Sequence, residues 1–332
     1  MDSRKISWIG GLALFLGLMA CGTGENQEGS SSGKSELPKV IEVPSFSSDS
    51  AYRYVAEQVA FGPRVPGTEA QLKARDYFVQ ELKRHGAETI VQAFSATRHD
   101  GEPLKGYNVI GKFYPEAKDR ILLCAHWDSR YTADEEDPDA QVPGANDGAS
   151  GVGILLEIAR LLGAQQPGCG VDIVLFDLED QGISDGNQVN SWGMGAQYWA
   201  NQPHMPAFRF RMGILLDMVG AKNATFFKEG FSMRYAESWV DRIWILADQM
   251  GYGNYFLNEV GGGVTDDHYF INTIAGIPTL DIIHKERGSE TGFFEHWHTT
   301  ADDLDAIDRQ TLKAVGRVVT KSVYQIAADF PQ

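Results

Sequence analysis

The chain has 332 residues, 43% apolar and 22% charged, which suits one large globular domain or two small ones. A formal charge of −16 argues against nucleic acid as partner, because phosphate recognition needs a basic face. In chain order, "MDSRKISWIGGLALFLGLMAC" comes first, with Arg4 and Lys5 ahead of an apolar run from Trp8 to Ala20. That is the plan of a secretory signal, and it is short for a membrane-spanning helix. Leu18-Met19-Ala20-Cys21 resembles a bacterial lipobox, in which the cysteine is lipidated and becomes the new N-terminus. A plain signal peptide with an incidental Cys21 is the alternative. The lipoprotein reading is preferred because "GTGENQEGSSSGKSE" follows at once, a polar stretch that buries too little to order itself.

The expected organisation is therefore a signal over residues 1–20, a tether over 21–45 and one domain over 46–332. The protein would be lipid-anchored in a bacterial cell envelope, on the periplasmic or surface side. Helices are expected over 47–62 and 68–86, the second opening on Thr68 and stopping at Gly86. Strands follow over 88–96, 106–113 and 120–129, with a turn at "YPEAKD". An apolar helix covers "SGVGILLEIARLLGA". "VDIVLFDLE" and "MGILLDMVG" are continuous apolar runs, as in strands buried on both faces. A helix over 238–251, a strand over 277–283 and an amphipathic helix over 309–330 complete the chain. Strands alternating with helices predict an α/β fold with a mostly parallel, mixed central sheet flanked by helices. Cys124 and Cys169 read either as buried thiols or as a disulfide that export would permit.

In open α/β sheets, ligands bind beyond the C-terminal strand ends. Three apolar runs here end in "AHWD", "DLED" and "LLDM". His126 and Asp128, two apart on a strand, face the same way and suit a metal ligand with its supporting carboxylate. Asp147 lies where the apolar helix starts, so it is either an N-cap or a ligand. Of the adjacent Glu179 and Asp180, one can bind a cation while the other works as a base. Asp217 interrupts an apolar strand and must be paired, protonated or beside a metal. Further on come Asp266, Asp267 and His268, then "HWHTTADD" with Trp297 and His298. Carboxylate and imidazole together suit a zinc site with an open position, and the cysteines are too few for structural zinc. "SRYTADEEDPDAQVPG" reads equally as a solvated loop, a rim of the crevice or a calcium loop.

The motif order "NVIG…AHWDS…GANDGASG…FDLEDQG…LLDMVG…DDH…GIP…WHTTADD" resembles the zinc aminopeptidase superfamily and, within it, the glutaminyl-peptide cyclotransferases. The likeness runs from about Tyr52 to the C-terminus. It implies Asp147, Asp180 and His298 as ligands of a single zinc ion, and Glu179 as general acid/base. Asp217 and Asp267 match acids around the substrate amine, and Trp297 matches the aromatic before the ligand histidine. Trp192 would wall the pocket or serve as a core aromatic. Many relatives have Glu-Glu where this chain has Glu179-Asp180. The implied reaction closes an N-terminal glutamine of a peptide into pyroglutamate and releases ammonia. The alternative is a di-zinc aminopeptidase with His126 and Asp217 on a second metal; a non-catalytic binding ectodomain ranks last. The resemblance also implies a monomer.

Overall fold

Each central strand of this chain is a run of apolar residues that must be covered on both sides, and that demand organises the molecule. The computed structural model describes residues 42–183 and 188–330. The signal segment, Cys21 and nearly all of the tether lie outside the described residues. The folded body starts slightly before Phe46, since Val43 packs on the core and the Glu42 carbonyl accepts a bond from Gln165.

Two helices open the body, α1 (Ser48–Val59) and α2 (Glu69–Arg84), capped by Ser47 and Thr68 side chains. Strands β1 (Glu88–Thr97), β2 (Pro103–Phe113) and β3 (Arg120–His126) follow. Then come α3 (Ala149–Ala164), β4 (Gly170–Phe176), α4 (Met194–Asn201) and β5 (Phe210–Asp217). Next are β6 (Phe226–Lys228), α5 (Gly230–Gln249), β7 (Phe256–Val260) and the single turn α6 (Asp267–Phe270). Strand β8 (Thr279–Ile283) and α7 (Arg309–Ala328) close the chain.

The main sheet has the order β1-β2-β4-β3-β5-β8. Strands β4, β3, β5 and β8 are parallel neighbours, while β1 and β2 add an antiparallel edge. The expected mixed, mostly parallel α/β sheet is what forms. Alternation along β3 shows how it is filled. Ile121, Leu123 and Ala125 join a large core with α1, α2, α3, α5 and α7, whereas Leu122 and Cys124 join a smaller one with α4 and α6. Leu123→Ala would cost about 3 kcal/mol through lost burial and an imperfectly filled cavity. Among the described residues Cys124 and Cys169 are free, buried thiols and are not bonded to each other, which answers the choice left open by the sequence.

Two features shift from expectation. The helix expected from Ser238 starts at Gly230, because Glu229 caps it there, and it kinks at Ala236 (φ −139°, ψ 26°). The strand expected to run to Ser129 stops at His126, which frees the next three residues to turn into the crevice.

Candidate active site

The four parallel strands finish on one side of the sheet, each at or just before a polar residue: His126, Asp177, Asp217 and His284. Three non-glycine residues around these ends adopt left-handed backbone: Leu178 after β4, Met218 after β5, and His298 in the late loop, with φ of 59°, 48° and 57°. Such strain persists only where surrounding contacts over-determine it, and it clusters at functional sites.

The β3 end delivers His126, which is buried; its Nε2 lies 3.0 Å from Asp147 Oδ1 and 3.1 Å from Asp217 Oδ1. Asp147 sits just before α3 and is not its cap: Gly148 holds the N-cap position and no side chain bonds there. Gly148 has φ of +93°, and a Cβ on it would meet the Asp128 carbonyl at 2.8 Å and the His126 ring at 3.1 Å. Glycine is thus what lets Asp147 approach the strand ends. The Asp147 carboxylate also faces the other way, with Oδ2 3.9 Å from His298 Nε2. His298 Nε2 is in turn 3.1 Å from Asp180 Oδ1.

Two buried sets of candidate ligands therefore share Asp147: His126/Asp147/Asp217 and Asp147/Asp180/His298. In each set the donor atoms lie within 4.8 Å of one another, the span of a single coordination sphere. The second set fits a metal in a further way. Among the described residues Asp180 Oδ2 is buried without a hydrogen-bond partner, a costly state for a carboxylate that a cation relieves. One imidazole and two carboxylates suit zinc with an open position.

Asp128 holds the loop that carries the acids. Its carboxylate accepts the Glu179 and Asp180 backbone N–H groups at 3.0 and 3.2 Å and the Gln181 side-chain amide at 2.9 Å. Asp302 does the same for the other ligand, accepting the N–H groups of Asn146 and Asp147 at 2.8 and 3.0 Å. Burial, then the Asp147 charge, pushes the Asp302 carboxyl up to about 7.

Glu179 lines a pocket of about 320 Å³ together with Asp217, Trp192 and Trp297. Burial raises its carboxyl well above the usual range, reinforced by Asp266 and Asp180 and opposed by His126. A raised carboxyl holds a proton more readily than an exposed one, which suits a group that must take up a proton and give it back. Trp297 stacks on His298 with ring centroids 3.6 Å apart, and the Trp192 ring lies near-parallel to His298 at 6.2 Å. Trp192 is half-buried and forms pocket wall, so it is not simply a core aromatic.

Asp266, not Asp267, lines the pocket. Asp267 is wholly buried, with neither carboxylate oxygen partnered among the described residues. The resemblance implies a place for Asp267 around the substrate amine; the structure buries its carboxylate and brings the adjacent Asp266 to the pocket surface. Asp266 is pushed up to about 7, chiefly by burial and next by Asp217. Sequence reasoning also missed Lys285, which reaches the pocket wall just past β8, and Glu229, which ties the pocket loop down. An acid before the turn of a helix at Gly230 was the available signal for Glu229; none marked Lys285.

Comparison with known proteins agrees with this layout. A Bacteroides thetaiotaomicron glutaminyl cyclase structure is 46% identical, with a TM-score of 0.82, covering 85% of this chain and 99% of that one. A Zn-dependent exopeptidase structure from Parabacteroides distasonis is 50% identical with the same TM-score and coverage. The glutaminyl-peptide cyclotransferase of Bos taurus is 26% identical over 286 residues, 77% of this chain and 76% of that protein. The family model described as Peptidase family M28 matches residues 108–323, most of the folded body, and the chain belongs to that family.

Proposed function

We propose that the chain is a glutaminyl cyclase, closing N-terminal glutamine of peptides to pyroglutamate with release of ammonia. One observation carries this reading: a small pocket walled by Trp192 and Trp297 sits directly over Glu179 and the Asp147/Asp180/His298 set. Asp147, Asp180 and His298 would hold one zinc ion, whose chemistry when bound is polarisation of the side-chain amide carbonyl. Asp217 and Asp266 hold the α-amine of the substrate so that its nitrogen points at the amide carbon. As the new C–N bond forms, the Glu179 carboxylate takes a proton from the attacking amine. It returns that proton to the amide nitrogen, which leaves as ammonia when the old C–N bond breaks. The two indoles exclude water, which would otherwise attack the same carbon and give glutamate.

A di-metal aminopeptidase is the second reading, favoured by the preformed His126/Asp147/Asp217 set. One preparation separates the two. Purified protein should release ammonia from a glutamine-initiated peptide and hold about one zinc per chain by elemental analysis. Steady cleavage of leucine anilide without ammonia release, with two tightly held metals, would overturn the cyclase reading.

We also propose a monomer, lipid-anchored through Cys21 in a bacterial cell envelope. Labelling with radioactive palmitate that is lost in Cys21→Ala is the expected result, and label kept by that variant removes the anchor.

A further inference from the structure

The chemistry above leaves the acidic stretch Asp134-Glu135-Glu136 without a role. In the structure each of its residues reaches the turn that carries His298. Asp134 Oδ1 stands 2.9 Å from His298 Nδ1, as an ion pair set off the ring N–H direction, since that nitrogen has no aligned hydrogen-bond partner among the described residues. The Glu135 N–H donates to the His298 carbonyl at 3.4 Å. Glu136 Oε2 accepts the Thr300 N–H at 2.8 Å and the Thr300 hydroxyl at 2.7 Å. Three successive residues therefore grip residues 298 to 300.

Arg130 extends this grip to the opposite ligand. It is buried, and its guanidinium pairs with both Asp134 oxygens through Nε and Nη2. Its Nη1 donates to the carbonyls of Asp180 at 3.1 Å and Gly182 at 2.8 Å. Gly182 needs its small size here, because a Cβ would meet the Trp192 ring at 2.2 Å. One arginine thus ties the segment of Asp180 to the loop that faces His298.

We propose that residues 134–136 form a clasp that holds His298 as a metal ligand, with Arg130 and Asp134 as positioning residues. His298 needs one. Its φ of +57° is a sparsely populated backbone conformation for any residue but glycine, and surrounding contacts are what maintain it. A carboxylate 2.9 Å from the far imidazole nitrogen favours the ring proton on that side and so leaves Nε2, which faces Asp147 and Asp180, to meet the metal. The inference rests on His298 being a zinc ligand and not on which reaction follows.

The test is a zinc titration of the purified full chain against a chromogenic chelator, with no substrate present. Asp134→Ala should bind zinc about 10- to 100-fold more weakly. Asp134→Asn, which keeps an acceptor oxygen in place, should recover part of that loss. Melting of the zinc-free protein should match wild type in both. Wild-type zinc affinity in Asp134→Ala overturns the proposal. So does a loss of affinity that tracks an equal fall in the zinc-free Tm of both variants, which makes Asp134 a fold residue only. A chain found to hydrolyse instead of cyclise leaves this titration readable. A wild-type chain that binds no zinc sinks the metal reading itself.

Discussion

The two halves of the pocket are built differently. Glu179, Asp180 and Asp217 sit at or just past strand ends, where the ladder of β3, β4 and β5 fixes the backbone. Asp266, Lys285, Trp297 and His298 ride on loops, and side chains fix those loops. Glu229 is the clearest tie. Its carboxylate accepts the Phe231 and Ser232 N–H groups at the start of α5, the Val264 N–H at 2.8 Å, and faces His268 Nε2 at 2.9 Å. Backbone ladders are rigid and lie deep in the core, so the proton carrier belongs there. Side-chain ties leave room to adjust the shape of the substrate wall.

The largest expected effect falls on the strand half. Glu179→Gln keeps the shape of the side chain and removes its ability to carry a proton. Turnover should fall about 10³-fold while zinc stays bound in wild-type amount. Near-normal turnover would take Glu179 out of the mechanism and erase the division of labour between the halves. On the loop half, Asp266→Asn should lower kcat/KM about 100-fold, with a smaller effect on folding. An equal loss of turnover in both variants would mean that the loop half takes part in proton transfer too.

The same division explains what was legible in the sequence. The strand half was readable because an apolar run announces where a buried strand ends, and the next polar residues fall at the crevice by topology. "RILLCAH", "VDIVLF" and "MGILLD" each carried that signal. The loop half has no period to read. Asp266 and Asp267 are adjacent, and only the backbone course decides which one meets the pocket. Arg130 and Asp134 are four apart, a helical spacing, yet they meet across an irregular turn. Asp147 could be read as a helix cap because caps and ligands favour the same residue types at the same place. The start of α5 was misplaced because "GFSMRYA" has mixed polarity, and Ala236 breaks the helical geometry inside it.

Stability should also divide along this line. The Glu229 carboxyl is desolvated, which raises it, but bonds from His268, Ser232 and Phe231 win and hold it down to about 2. A carboxyl held below its ordinary 4.5 stabilises the fold fully above that value and loses the contribution as pH falls toward about 2. Glu229→Gln should therefore destabilise by about 2 kcal/mol at pH 7. The gap to wild type in urea midpoint should narrow steadily between pH 4.5 and the acid limit of folding. A gap that is constant over that window would place the effect in packing and not in the charge.

The smallest expected effect belongs to the acid one position away from the pocket. Asp267 is buried, and burial, aided by the charge of Asp266, raises its carboxyl well above the usual range. Burial that favours the neutral acid favours a form close to an amide in size and polarity. Asp267→Asn should then leave kcat/KM within about twofold of wild type, because the side chain keeps its shape and does not line the pocket. Its neighbour behaves otherwise in the same assay, since Asp266 faces the substrate wall. The pair of variants thus asks whether position in the loop or mere presence of an acid sets function. A loss in Asp267→Asn as large as that in Asp266→Asn would show a charge relayed from the buried acid to the pocket, and the loop half could no longer be described as a wall alone.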